Sequence, residues 1–491
     1  MFNLNLNLNF KFRVARRCRM GLLLWLCCSL TCARAQSADM LAADVLVVGA
    51  GLSGLTAAYY LQKAGKSVLM LEMTSHIGGR IRTAAYPGGE RAEVGLEEFW
   101  SDNPALSIFR ELEIPLETAY GGFSSFYYQG ELHAATHPDN QAFIASFADA
   151  EEMRAFLQWD AQMQSLFKQL EQHPLPAELS ALQDVSFADW LARRGGLSEK
   201  MLAFVRMQIE PEVGVDWRNL NALDGLAEWR LLAAPGQLPY HVAGGNQAAA
   251  EKIAEAIGKH NILLQQQVAE VDADADGVSV AALDLRDYQW RRYRGQYLVL
   301  TMPLYKLNEI QFRPPLTEER RQAVQTQAGG AYFTAHVVVS AGAQRFWTRQ
   351  GQTVLPILTD SELGVIYGGT GGNANTAVLN LLITGAYAEA FNNRLNAYDE
   401  IKGILLAAFE KLWPGFGAEA RDIYFYRYHP RAIAVWPLGR SRFDALSESL
   451  RRPQGRVYFA GDFTEDSHSN GAARAGIRVA REIAQTKPGS D

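Results

Sequence analysis

Cysteine is what this chain has least of where it would matter. Only four occur among 491 residues, Cys18, Cys27, Cys28 and Cys32, and all fall within the first 35. From Gln36 onward there is none, which excludes disulfides, thiolate metal sites and a thioether link to a cofactor from that part of the chain. No GxSxG, Walker loop or CxxC occurs either, so the common nucleophile and phosphate-loop chemistries are absent. His133 and His137 are spaced i, i+4, but Pro138 follows and no acidic ligand accompanies them, so no metal site is expected. Blocks of positive charge are also missing. The run WRRYRG reads as a solvated strand, and an acidic chain without a basic patch argues against nucleic acid and anionic membranes as partners. No Pro/Ser-rich linker separates the parts, and the sequence carries no signature of an oligomeric state.

The first 35 residues belong to a different class of sequence. Lys11, Arg13, Arg16, Arg17 and Arg19 precede the short apolar core GLLLWLCCSLTC, and Ala33-Arg34-Ala35 fits a small-x-small cleavage site. That core is too short to span a bilayer comfortably. Residues 1–35 are therefore expected to be an export signal, with a mature chain that is periplasmic or secreted. Arg16-Arg17 leaves twin-arginine export and general secretion both open. Six Lys/Arg and no Asp/Glu leave with this segment, taking the formal charge from −6 to −12. No apolar helix near the C-terminus offers a stable membrane anchor.

The most specific stretch runs from Asp44 to Glu72, DVLVVGAGLSGLTAAYYLQKAGKSVLMLE. An apolar strand enters a glycine turn, a helix follows, Gly65 closes it, and a second apolar strand ends in an acid. This is a βαβ unit of the dinucleotide-binding kind. Gly49 permits the tight turn, Gly51 lets the backbone approach a pyrophosphate, and Gly54 lets helix and strand lie close. The unpaired N–H groups at the helix start face the phosphates. Glu72, at the end of the second strand, is placed to accept the ribose hydroxyls.

The remaining pattern predicts an α/β (α+β) chain of two domains, a Rossmann-like nucleotide-binding domain interleaved with a mixed helical and sheet substrate domain. Segments 40–125, 236–312 and 429–491 are assigned to the first. Segment 126–235, mainly helical, and segment 313–428 are assigned to the second. EEMRAFLQWDAQMQSLFKQLEQ has helical periodicity that stops at His173-Pro174, and SFADWLARRGG reads as a helix capped by Ser186 and closed by Gly195. VAEVDADADGVSVAAL reads as a hairpin around Asp276-Gly277.

GAGLSG with Glu72, HIGGRIRT, HVAGGNQAAAEKIAEAI, YLVLTMPLYKLNEIQFRPPL and YFAGDFTEDSHSNGAARAG occur in this order. With these segments the chain resembles the flavin-containing amine oxidases of the monoamine and polyamine oxidase superfamily over most of its length after residue 35. The resemblance implies FAD, bound non-covalently. It places Ser53 and the neighbouring glycines at the pyrophosphate, with Gly79 and Arg80, and Glu72 at the adenosine ribose. It pairs the backbone of Val268 with the adenine, puts Gly95 and Leu96 beside the cofactor, and sets Gly461 and Asp462 at ribityl or phosphate oxygens. Ala472 and Ala473 would direct N–H groups at the flavin pyrimidine carbonyl. The implied reaction removes hydride from the carbon next to a neutral amine to flavin N5. The imine hydrolyses to an aldehyde, and oxygen or another acceptor reoxidises the flavin, oxygen giving hydrogen peroxide.

Three positions depart from the family pattern. Many members carry an active-site lysine on the strand that here reads AYFTAHVVVSAGAQRFW, and His336 falls nearest in register to Phe346-Trp347 as its replacement. The aromatic cage position before the last helix is His468, with Trp436 a further source of aromatic surface. Where L-amino-acid oxidases of the superfamily place a carboxylate-binding arginine, this chain has Glu97 and Glu98. Glu98 there would repel a carboxylate and attract a cationic amine. His336, His468 and Glu98 are the candidate catalytic residues, and a small cationic amine is the expected substrate. A desaturase or protoporphyrinogen-oxidase-like enzyme, and a flavin-binding protein without turnover, remain alternatives.

Overall fold

Alternating apolar and glycine-rich segments build the first layer, as seen in a computed structural model that describes residues 41–118, 125–135, 140–233, 237–371, 375–394, 396–426 and 431–486. Residues 1–35, with every cysteine, and His137 lie outside the described residues. The run LAADVLVV forms strand Leu41–Val48, whose second half is buried, and helix Leu52–Lys63 connects it to the parallel strand Val68–Leu71. These strands belong to an eight-stranded sheet. Its order is 262–263, 68–71, 41–48, 289–300, 278–284, 266–273 and 311–313, and Val457–Phe459 pairs with the end of 289–300. The late strand thus returns to the same sheet, one strand away from the first. The last helix, Ser469–Gln485, packs on the helix Leu52–Lys63. A Cβ at Gly476 would lie 2.5 Å from Ser53 O, so only glycine allows that approach.

The second layer is a seven-stranded sheet of order 420–426, 332–340, 376–384, 365–368, 357–359, 125–128 and 131–133. Strand Tyr332–Ser340 sends Phe333, Ala335, Val337 and Val339 into a core with Ile401, Leu405 and Phe409 of helix Tyr398–Leu412. Thr334 and His336 lie on the opposite face, as the two-residue period of a strand requires. Both sheets fall within one compact unit, Ala42–Asp491. Each is assembled from segments far apart in sequence.

The helical stretch forms where its periodicity places it. Asp149 and Glu152 make a reciprocal capping box at the start of Ala150–Gln169. That helix ends at Gln169, earlier than the stop expected at Pro174, because the N–H of Leu170 is shared between Leu166 O and Phe167 O and the last turn tightens. Ser186 Oγ caps Phe187–Arg194, and Gly195, at φ 66°, ends it. The hairpin at Asp276-Gly277 joins Gln266–Ala273 to Val278–Asp284. Among the described residues no helix is long and apolar enough to cross a membrane.

Candidate active site

The glycine turn after Leu41–Val48 has the stereochemistry its sequence demands. Gly49 adopts φ 104°, and a Cβ there would lie 2.6 Å from Thr301 Oγ1. At Gly54 a Cβ would meet Gly49 O at 2.1 Å. At Gly51 it would meet nothing within 4 Å, so the open side of the turn faces free space. Ser53 Oγ is buried there with no hydrogen-bond partner among the described residues. Gly79, at φ 58°, brings its backbone against Gly51. An orphaned hydroxyl beside an uncovered glycine turn fits a pyrophosphate. Glu72 Oε2 accepts from Ala50 N–H at 2.7 Å, and Oε1 accepts from both N–H and Oγ1 of Thr74 at 2.8 Å. One lone pair of Oε2 remains, so Glu72 can accept one ribose hydroxyl directly, rather than both.

The other segments converge on the same place. Arg80 Nη1 donates to Asp462 Oδ2 at 2.7 Å and to Ala432 O at 2.8 Å, joining HIGGR to the returning FAGD turn across 382 positions. Gly461, at φ 154°, precedes Asp462, and a Cβ there would run into the Phe463 ring. Arg80, Tyr305, Arg431, Ala434 and Asp462 line a depression at this junction. Gly95 and Leu96 lie alongside: Leu96 N–H donates to Arg80 O at 3.0 Å, and Leu96 O accepts from Asn246 Nδ2. Val268 pairs with Ala282 on one edge of its strand. The neighbour on the other edge, Gln311–Arg313, starts only opposite Glu270, which leaves the outer edge of Val268 uncovered by it.

The last helix requires a correction. Ala472 N–H donates to His468 O at 3.1 Å, so it is already an intrahelical donor, and Ala473 lies one residue deeper. Gly471 N–H donates to Asp466 Oδ1 at 2.9 Å. The donors that helix geometry leaves over are those of Ser469 and Asn470, which have no hydrogen bond among the described residues. They, and not Ala472 and Ala473, are the groups that can meet a flavin carbonyl. The reading from sequence set the helix start a turn too late because small residues continue across the boundary.

His336 is also corrected. It is fully buried, Nε2 lies 2.9 Å from Glu93 O, and Nδ1 lies 2.5 Å from Tyr86 Oη. A carbonyl only accepts, so Nε2 carries the proton and Nδ1 accepts from the tyrosine. Burial lowers this imidazole to about 4, against the pull of Glu93 O and Asn380. Both nitrogens are engaged inside the wall, and His336 does not stand in for the family's lysine. Counting back from Phe346-Trp347 misplaced it because a 3₁₀ turn, Ala341–Phe346, separates strand from aromatic pair. Trp436 is likewise core: it is 1 % exposed, and its Nε1 donates to Ser447 Oγ at 2.9 Å.

Glu98 and His468 enter one constellation. Glu98 Oε2 is buried without a hydrogen-bond partner among the described residues, and burial together with Glu212 pushes its carboxyl up to about 8. Glu97, its neighbour, accepts from Asn380 Nδ2 at 2.5 Å and is pushed well up by burial, Glu93 and Glu98. Glu212 in turn lies 3.8 Å from His468 Nδ1, while His468 Nε2 is 2.6 Å from Glu228 Oε2. Glu228 also accepts from Arg442 Nη2, and Arg442 Nε reaches Asp224 Oδ1 at 2.5 Å. Burial opposes the charge on Glu228, yet His468 and Arg442 hold it down to about 2. Burial opposes the charge on His468 too, yet Glu228, Glu212 and Asp466 raise it to about 9. Sequence reasoning missed Glu212, Glu228 and Arg442. A signal existed: Asp224 and Glu228 are spaced i, i+4 in ALDGLAEW, every residue of which is buried, and two acids on such a face require a cation.

Residues 52–484 match the family described as flavin containing amine oxidoreductase. Over 474 residues the chain is 21% identical to a probable flavin-containing monoamine oxidase A of Dictyostelium discoideum, covering 90% of this chain and 97% of that one. Over 473 residues it is 24% identical to the flavin-containing amine oxidase A of Bos taurus, covering 90% and 84%. Its fold is similar to that of cyclohexylamine oxidase from Brevibacterium oxydans IH-35A, with a TM-score of 0.76 at 23% identity, covering 90% of this chain and 99% of that one. The chain belongs to the flavin-containing amine oxidoreductases, and its cofactor is FAD.

Proposed function

We propose that this enzyme is an exported oxidase of small cationic amines, primary or secondary, and that it holds FAD without a covalent bond. The observation that carries the substrate class is the buried, unpartnered carboxyl oxygen of Glu98, backed by Glu212. Burial first, and the charge of Glu212 second, hold the proton on the Glu98 carboxyl well above the ordinary carboxylate range. An ammonium group entering beside these two carboxyls supplies the missing counter-charge, whereas the carboxylate of an amino acid would meet repulsion. Bound FAD supplies the two-electron acceptor for the hydride leaving the carbon next to nitrogen. Only the neutral amine can release hydride, so the ammonium proton has to leave before the transfer. With oxygen and water, the amine then yields a carbonyl compound, ammonia or a smaller amine, and hydrogen peroxide. Export is inferred from residues 1–35 alone.

Anaerobic mixing of the holoenzyme with a panel of amines and L-amino acids tests this reading. Cationic amines should bleach the visible flavin band and L-amino acids should not. Glu98→Gln should raise the KM for amines, and an unchanged KM would reject Glu98 as the recognition group. For export, the secreted product should begin at Gln36.

A further inference from the structure

His468 occupies a position where the family resemblance places an aromatic ring, but here it is the middle of a line of charges. Arg442, Glu228 and Asp224 are each no more than 7 % exposed, and Glu228 gives one oxygen to Arg442 and the other to His468. On its second nitrogen His468 faces Glu212. A neutral imidazole has one N–H, so a ring with a carboxylate toward each nitrogen is satisfied only when doubly protonated. The same residue immediately precedes Ser469 and Asn470, whose N–H groups are the free donors of the last helix. A helix N-terminus is itself equivalent to a partial positive charge.

We propose that His468 is a fixed cation at the flavin end of the last helix, held charged by the Arg442–Glu228 pair and by Glu212, and that it raises the reduction potential of the bound flavin by stabilising negative charge on the reduced ring. This rests on FAD occupying the site described above. The charged groups facing His468 are Glu228 from helix Ala222–Leu232, Glu212 from helix Glu199–Val213, and Asp466 from its own loop. Behind them stand Arg442 with Asp224, Arg474 with Asp466, and Glu98 beyond Glu212. Arg442 is matched by Asp224, so His468 is the counter-charge Glu228 has on the flavin side. Removing the imidazolium therefore leaves net negative charge beside the ring, which fixes the sign of the effect.

The test is the two-electron midpoint potential of the holoenzyme, with sulfite affinity as a second readout, in His468→Asn and His468→Lys. His468→Asn should shift the reduction equilibrium at least tenfold against the reduced form, about 30 mV for a two-electron couple, and weaken sulfite binding in parallel. His468→Lys should keep the wild-type potential at neutral pH. In the wild type the extra potential should disappear above about pH 9, where His468 loses its proton, and that break should be absent from His468→Lys. A His468→Asn protein that takes up FAD and retains the wild-type potential overturns the proposal and leaves the cofactor assignment intact. If His468→Asn fails to load, the lysine variant decides: a retained potential supports the cation and a lowered one refutes it. A wild-type protein that takes up no FAD would instead remove the reading underneath.

Discussion

The nucleotide end of the site is made of backbone, and the chamber end is made of buried charge. At the first, Gly49, Gly54 and Gly79 let backbone segments pack closely around a face that is open at Gly51, and the specificity lies in the absence of side chains. At the second, Glu98, Glu212, Glu228, Arg442 and His468 come from five separate segments, and each is held in its charge state by the next. Backbone donors are uncharged and tolerate an empty site. Buried ions do not: each is costly unless its neighbour compensates it. The two ends should therefore fail differently. Mutations at the turn should cost cofactor uptake, and mutations along the ion line should cost stability or potential.

The largest effect should come from Gly54→Val. With Gly49 O only 2.1 Å from the position of even a first carbon, the helix cannot close on the strand. Flavin content and soluble yield should both collapse. Gly51→Ala is the sharper probe, because its methyl would meet no protein atom within 4 Å. It should leave the melting temperature of the apoprotein unchanged while lowering FAD affinity at least tenfold. Equal loss of fold and flavin at both glycines would erase the distinction drawn above.

Arg442→Met comes next. It leaves Asp224 and Glu228 buried beside one remaining cation, a loss on the order of 3–5 kcal/mol for a broken buried pair. Urea unfolding of the FAD-saturated protein measures it. Lowering the pH should recover part of the loss, because protonation removes the stranded charge. A variant as stable as the wild type would show that the line is not what ties helix Ala222–Leu232 to the 442 segment.

These two ends also differed in how far the sequence disclosed them. The glycine turn, Glu72, Arg80 and Asp462 were legible because contiguous motifs carry local stereochemistry, and position in the chain implies position in space. The helix capped by Ser186 was legible for the same reason. His336 was misjudged because register counted along a strand does not survive an inserted turn, and Ala472 because a helix start cannot be read from small residues alone. The ion line was illegible because nothing local links Arg442 to Glu228, 214 positions away. Only the pair of acids in the apolar segment ALDGLAEW, buried from Ala222 to Trp229, announced that a partner had to exist.

His336→Leu separates wall from chemistry. It removes two hydrogen bonds, but Tyr86 Oη keeps Tyr426 Oη at 2.9 Å and Glu93 O keeps Asn380 Nδ2 at 3.0 Å. Because both former partners stay satisfied, the cost should be about 1–2 kcal/mol, with the rate of flavin reduction per bound flavin unchanged. A reduction rate lowered by orders of magnitude would return His336 to the reacting centre.

The smallest effect, no more than about 1.4 kcal/mol per pH unit for each titrating group, is a slope of stability with pH, and its sign follows from the chamber. His468 has its proton held from an ordinary 6.5 to about 9, so its contribution is complete below pH 6.5 and is lost as pH rises through about 9. Glu98, pushed from 4.5 to about 8, keeps in the native state a proton that the unfolded chain has released, so stability also falls from pH 4.5 to about 8. Glu228, held at about 2, acts oppositely: its contribution is present above 4.5 and lost as pH falls through about 2. The urea midpoint of the holoenzyme should thus peak at about pH 4.5 and decline on the alkaline side in two overlapping stages, Glu98 alone at first and His468 adding to it above about pH 6.5. Glu98→Gln should flatten the earlier stage and His468→Lys should extend the later one beyond pH 9. No such slope is expected from Gly49, Gly51 and Gly54, which carry no side chain to titrate. An alkaline decline that neither substitution changes would mean that the chamber charges are not coupled to folding, and the contrast between a backbone-built end and a charge-built end would lose its physical basis.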